Sequence, residues 1–308
     1  MALTVARGFC MGAADVVPGV SGGTVALVFG IYERLLDNVR RGARALGSLV
    51  RLDFNGFGTH FRSVEWSFML PLLVGVVIAV GALSTVIERL LQERPEEMAG
   101  LFLGLVLGSI VVAWRLLHSS TPADVAVMVV VGAATFLLLG FQSGPVSDPA
   151  LPIYFGAGAV AICAMILPGI SGSFLLLMMG MYAAVLGAVH DRDLAVIAVF
   201  ALGATVGLAL FSSALGYLLD NHHDLVLGAL IGLMIGSVRV LWPWPNGVGI
   251  ISEEAGESIS GTALHMPTAE NWLWPTVLAA TAFIVVVAVG RLAPSDEHPL
   301  PKTVEANV

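Results

Sequence analysis

Residues 14–36 read ADVVPGVSGGTVALVFGIYERLL, and residues 164–186 read AMILPGISGSFLLLMMGMYAAVL. The two align without a gap, 150 residues apart (14 to 164), and their identities fall on special residues: Pro18/Pro168, Gly19/Gly169, Ser21/Ser171, Gly22/Gly172, Gly30/Gly180 and Tyr32/Tyr182. Chance likeness between apolar stretches would match Leu and Val, not Pro, Gly, Ser and Tyr in register, so the chain is read as an internal repeat. The likeness resumes 128 residues apart from Gly75 and Gly203, where Gly100, Gly104, Gly108 and Ser109 meet Gly228, Gly232, Gly236 and Ser237. The first half therefore carries 22 extra residues, which fall in the polar stretch 33–65.

The solvent of these repeats follows from composition. Of 308 residues 57% are hydrophobic and 12% charged, and mean hydropathy is +0.91. A soluble domain carries about 25% charged residues. Residues 101–113, 125–141, 159–189, 194–219 and 225–238 hold no Asp, Glu, Lys or Arg, and a bilayer is crossed by apolar helices of roughly 17–25 residues. A net charge of −8 gives no nucleic-acid signature. Two cysteines, Cys10 and Cys163, sit in apolar runs without metal-ligand spacing. No cofactor or metal is expected, and no cleavable signal peptide is evident.

Loop charges set the topology. Arg34, Arg40, Arg41, Arg44, Arg51 and Arg62 mark the 34–65 connector as cytoplasmic by the positive-inside rule. Spans over 67–87, 98–116, 124–141, 194–219, 225–241 and 274–290 then alternate so that loops 142–152 and 243–271, free of Lys and Arg, lie outside. The expected fold is an all-α polytopic membrane protein of two inverted repeats, each a Pro/Gly-broken hairpin, read as re-entrant, followed by three spans. The first repeat covers 1–141, with hairpin 1–36, connector 34–65 and spans in 67–141. The second covers 153–291, with hairpin 153–190 and spans in 194–291. A tail, 292–308, follows, and both termini are expected to be cytoplasmic. Inverted repeats are typical of secondary transporters, whose sites lie near the midplane.

Each break has anion-binding chemistry. Pro18 and Pro168 remove a backbone donor, and the adjacent Gly19 and Gly169 permit backbone angles that other residues avoid. The short apolar helix that follows points free N–H groups and a positive dipole end at the break. Ser21, Gly22, Gly23 and Thr24 in the first half, and Ser171, Gly172 and Ser173 in the second, then make a phosphate or carboxylate receptor. The bland alternative is that the small residues only allow close helix packing.

The charges are unequal between the halves. Asp15, whose counterpart is Met165, can carry a proton, bind a cation or pair with Arg7; alternatively it caps a helix at the interface. Intramembrane carboxylates are costly and usually functional. Glu33, a second candidate for proton coupling, and Arg34 have Ala183 and Ala184 as mates. Arg7 and Arg34 are candidates to neutralise an anionic head group, Arg34 against the plainer role of a positive-inside anchor. Arg239, beside Trp242 and Trp244, either meets lipid phosphate or snorkels in an aromatic belt. His222 and His223 are read as turn residues.

The stretches GFCMGAADVVPGVSGGTVALVFGIYERLL (8–36) and ILPGISGSFLLLMMGMY (166–182) resemble the polyprenyl-phosphate transporter family, and the resemblance covers essentially the whole chain. It implies a bacterial or archaeal plasma-membrane protein that returns undecaprenyl phosphate from the outer to the inner leaflet for envelope glycan synthesis. The family's motif maps onto Asp15, Pro18, Gly19, Ser21, Gly22, Gly23, Thr24, Glu33, Pro168, Gly169, Ser171, Gly172 and Ser173. Ser173 and Phe174 replace Gly23 and Thr24 in the second motif, which puts equal anion contacts in the two halves in doubt. Expected partners are a polyprenyl phosphate and membrane lipids; an oligomer stays open. Rival readings are a transporter of small soluble anions and a lipid-phosphate enzyme. The motifs hold no His or paired carboxylates for the latter.

Overall fold

The computed structural model describes residues 1–16, 21–117, 121–140, 146, 149–244 and 264–292. Pro18 and Gly19, and the 292–308 tail beyond its first residue, lie outside the described residues. Regular structure among the described residues is wholly helical: α1 (Ala2–Asp15), α2 (Gly22–Val28), α3 (Tyr32–Val50), α4 (Phe54–Ser63), α5 (Trp66–Glu93), α6 (Pro95–Trp114), α7 (Pro122–Leu138), α8 (Leu151–Ile166), α9 (Gly172–Met178), α10 (Tyr182–His190), α11 (Leu194–Leu241) and α12 (Leu273–Leu292).

Helices α5, α6, α11 and α12 are long and apolar enough to cross a bilayer, and α7 and α8 are apolar helices of 17 and 16 residues. The 48-residue α11 is two helices joined at His222, whose φ of −140° and ψ of 48° interrupt the helix. Large apolar side chains such as Val77, Leu210 and Ile284 point outward, 65–69% exposed. Water would not tolerate such a surface, whereas hydrocarbon does. The chain is an all-helical, multi-pass membrane protein.

Glycine decides how these helices pack. A Cβ on Gly8 would lie 2.0 Å from the Leu72 carbonyl oxygen, and one on Gly75 2.1 Å from that of Val5, so α1 and α5 touch backbone to backbone. The repeat-mates do the same: Gly158 would meet the Phe200 carbonyl at 2.2 Å and Gly203 that of Phe155 at 2.0 Å, joining α8 to the first part of α11. Gly100 and Gly104 seat α6 on Pro275 and Ala279 of α12, while Gly228 and Gly232 seat the second part of α11 on Asp124 and Met128 of α7. In lipid, where apolar side chains gain little by leaving the solvent, such close approach is a main source of helix association.

The helices after the breaks also end alike. Gly30 (φ 66°) and Gly180 (φ 68°) adopt the left-handed conformation. The amides of Gly30 and Ile31 donate to Leu27 and Ala26, and those of Gly180 and Met181 to Leu177 and Leu176. This is the Schellman closure, which satisfies the last carbonyls of a helix and turns the chain sharply. Between α9 and α10 the turn is 111°.

The Arg-rich connector differs from a plain loop. It forms most of α3 and all of α4, the latter capped by Asp53 accepting the Gly56 amide at 2.9 Å. Helix α3 is amphipathic: it buries Leu36, Ala43 and Ala45, leaves Arg44 exposed and holds Arg34, Arg40 and Arg41 partly buried. Arg34 binds Glu65 at 2.7 Å, and Arg41 pairs with Asp37. The 22 additional residues thus make amphipathic helix.

Candidate functional site at the crossed breaks

The two breaks meet inside the protein. The Gly169 amide donates to Thr24 Oγ1 at 2.8 Å. Ser21 Oγ donates to the Met165 carbonyl and the Tyr32 hydroxyl to the Ile166 carbonyl, each at 3.2 Å. Breaking α8 at Leu167 leaves its last carbonyls without intrahelical donors, and the first motif's side chains supply them. Ser21 and Thr24 are 1% and 0% exposed, as expected of hydroxyls that must be paired where water is excluded. Gly22 and Gly23 are buried too, and a Cβ on Gly23 would lie 2.8 Å from the Ile166 carbonyl oxygen. Gly169 has φ 85° and packs on Met234, midway along the second part of α11.

The two helix starts are not equivalent. In α2 the Gly22 amide donates to Asp15 Oδ1 at 2.6 Å, the Gly23 amide to Ser21 Oγ at 3.1 Å and the Thr24 amide to the Ser21 carbonyl at 2.9 Å. The positive end of α2 is thus filled by the chain's own carboxylate, a favourable pairing with the dipole. At α9, Ser171 makes no capping bond. Its hydroxyl instead lies 2.8 Å from that of Ser173. The amides of Gly172 and Ser173 have no acceptor among the described residues. Ser171, Gly172 and Pro168 are buried, and Ser173 is half-buried.

The remaining candidates lie apart from the breaks. Arg7 is half-buried on α1, about 12 Å of helix rise from Asp15. Arg34 sends Nε and Nη2 to Glu65 Oε2 at 2.9 and 2.7 Å and stacks over Phe68, 4.3 Å from the ring centroid. Glu33 binds His223 Nε2 at 2.9 Å, and Asp224 lies 3.1 Å from Nδ1. Arg40 reaches Asp220 at 3.1 Å. These contacts tie α3 to the kink of α11. His223, read as a turn residue, therefore has a structural partner; the glutamate hydrogen bond, ahead of the opposing effect of burial, raises its pKa.

Sequence reasoning singled out Ser21, Thr24, Ser171 and Ser173 but missed Tyr32, the donor to Ile166. Its alignment with Tyr182 was the available signal. It also missed Asn38, which is 1% exposed, joins α3 to the start of α5 by accepting the Glu65 amide at 2.7 Å, and donates within α3 to the Arg34 carbonyl at 2.8 Å. A lone Asn in a polar stretch carries no such signal.

A family model described as undecaprenyl phosphate translocase-like (VCA0040-like) matches residues 11–259, from the end of α1 past α11, including both breaks. The chain belongs to that family. It is 35% identical over 304 residues to a protein of Vibrio cholerae named polyprenyl-phosphate transporter, covering 94% of this chain and 96% of the relative. A Staphylococcus aureus protein of the same name is 26% identical over 313 residues, covering 96% of this chain and 98% of that one. No solved structure matches.

Proposed function

We propose that the protein is a transporter that moves a polyprenyl phosphate, with undecaprenyl phosphate as the fitting substrate, from the outer to the inner leaflet. The observation that carries the reading is the meeting of the two motifs, Thr24 with Gly169 and Ser21 with Met165, beside Met234 in the second part of α11, with the α9 start open and the α2 start filled by Asp15. The relatives' names supply the lipid class. The phosphate would be held by the hydroxyls of Ser171 and Ser173 and the amides that follow, while the tail stays in hydrocarbon. The first-half residues Ser21, Gly22, Gly23 and Thr24 complete the wall, and the breaks are a pair of re-entrant hairpins in inverted repeats. The matched glycine contacts of α1–α5 with α8–α11, and of α6–α12 with α11–α7, support a repeat of structure as well as sequence.

Inward transfer of an anion opposes a cytoplasm-negative potential by about 2.3 kcal/mol per charge per 100 mV. Proton coupling at Asp15 answers this. A protonated Asp15 loses its charge attraction to the α2 start, and the Gly22 amide becomes open to the phosphate. Deprotonation restores the internal cap and expels the head group. Glu33, paired with His223 away from the breaks, fits a latch on α3 better than a proton carrier. The product would re-enter envelope glycan synthesis on the cytoplasmic side.

Binding by the purified protein tests this reading. Native mass spectrometry in lipid nanodiscs should detect retention of undecaprenyl phosphate over undecaprenol, abolished when Ser171→Ala and Ser173→Ala are combined. Equal retention of the alcohol, or an unchanged complex in the double variant, would remove the breaks from head-group recognition.

A further inference from the structure

Arg239 stands outside the crossed breaks and has a setting of its own. Arginines at span ends usually reach past the apolar zone to water. Arg239 folds back instead. Its guanidinium stacks on Phe136, 5.0 Å from the ring centroid, and Nη1 donates to the Phe136 carbonyl at 3.2 Å in the last turn of α7. Gly140 makes room for it: a Cβ there would lie 2.5 Å from the guanidinium carbon. Of the five N–H donors of an arginine, this is the single bond made to a described residue, and the buried Nε has no partner. No carboxylate of the described residues pairs with the cation.

Arg239 borders a cavity of about 270 Å³ together with Phe136, Val238, Trp242, Leu264, His265 and Met266, and the cavity walls are almost wholly apolar. One side is held by Trp242, whose indole donates to the His265 carbonyl at 2.8 Å and packs edge-on against Trp244. The cavity is at the end of α11 away from His223 and the basic helix α3. Along α11, Arg239 is five residues past Met234, the level at which Gly169 packs, or about 7.5 Å of rise. Next to Arg239 in sequence, Val240 joins Leu139 and Phe174 in a cluster through which α9 touches α7 and α11.

We infer that this cavity is a second site, a dock where the anionic head of a single-chain lipid phosphate pairs with Arg239 before it reaches the crossed breaks. The chemistry argues for an amphiphile: the cation needs an anion, and the remaining wall needs an apolar occupant. A soluble phosphate would leave Phe136, Trp242, Leu264 and Met266 uncovered. A guanidinium suits a phosphate because its planar fork bonds two oxygens at once. Stacking on Phe136 fixes the fork while leaving donors uncommitted. The inference rests on the lipid substrate proposed above, but it names a place and a residue that the transport reading does not require.

The test uses full-length protein in nanodiscs, a diazirine-bearing farnesyl phosphate and the matching farnesol probe, with label sites mapped by mass spectrometry. The expected result is labelling of residues 136, 238–242 and 264–266 by the phosphate probe, reduced about tenfold or more by Arg239→Gln and partly restored by Arg239→Lys. Farnesol labelling should be weak and insensitive to both changes. Equal labelling by farnesol, phosphate-probe labelling unchanged by Arg239→Gln, or labelling confined to the breaks would overturn the dock. Competition by millimolar inorganic phosphate without lipid would also overturn it, since the site would then take a soluble anion. Leaflet exchange measured on the same preparation separates the two proposals. Cavity labelling without exchange keeps the dock and sinks the transport reading; exchange with break-only labelling does the reverse. Circular dichroism and melting of Arg239→Gln exclude misfolding as the cause of lost label.

Discussion

Thr24 Oγ1 accepts the Gly169 amide at 2.8 Å, across 145 residues of sequence and with both partners buried. This bond joins the two repeats at their breaks and answers a donor that no helix can satisfy. Thr24→Val keeps the shape and removes the acceptor. Leaving a buried amide unpaired costs about 1–3 kcal/mol, so the melting temperature in detergent should fall clearly, while Thr24→Ser should restore most of it. Equal melting of the valine variant and wild type would mean that Gly169 finds another acceptor.

Asp15 and Gly22 give a second expectation. Asp15→Asn retains an oxygen for the Gly22 amide but not the charge that competes with a phosphate at the α2 start. The fold should persist, and lipid transport should lose its dependence on an imposed pH gradient. Retention of a wild-type gradient response would move coupling away from Asp15.

The pairing of His223 with Glu33 makes stability depend on pH. The folded-state pKa of His223 lies above its unfolded value, chiefly through the Glu33 hydrogen bond, with Asp224 adding to the rise. Its stabilisation is full below the unfolded value of about 6.5 and is lost as pH rises through the higher folded value. Because Glu33 is largely exposed, the effect should be at most about 1 kcal/mol. The melting-temperature difference between wild type and His223→Gln should therefore shrink from pH 5.5 to pH 8.5. A constant difference would contradict the linkage.

Glycine substitutions should divide sharply by place. Gly104→Ala would put a Cβ 2.0 Å from the Ala279 carbonyl oxygen and push α6 off α12; Gly232→Ala would meet the Met128 carbonyl at 2.6 Å. Both should lower the yield of folded, monodisperse protein. Gly47 in α3 has nothing within 4 Å, so Gly47→Ala should be neutral or stabilising by up to about 1 kcal/mol. Size-exclusion profiles of the three variants decide the matter.

How far the sequence foretold this arrangement depends on the kind of signal. The aligned Pro, Gly and Ser located both breaks because each residue type has a backbone reason to be there. Gly100, Gly104, Gly228 and Gly232 aligned for the same reason, as positions of closest helix approach. What stayed hidden was pairing between distant segments, Thr24 with Gly169 and Tyr32 with Ile166, whereas Asp15 capping a helix was among the readings the sequence offered. Such contacts depend on how the halves cross, which periodicity does not encode. The arginines of 34–65 are legible as a charged surface, whereas the amphipathic spacing that makes α3 and α4 is masked by the polarity of the stretch.

The central claim is that the crossed breaks carry a lipid phosphate between leaflets. Its most direct measurement is leaflet-resolved exchange of labelled undecaprenyl phosphate in proteoliposomes under imposed pH gradients. The account predicts that wild-type protein speeds exchange well above protein-free vesicles and that combined Ser171→Ala and Ser173→Ala, at equal incorporation, reduces it about tenfold or more. No acceleration by wild-type protein under any gradient would contradict the account.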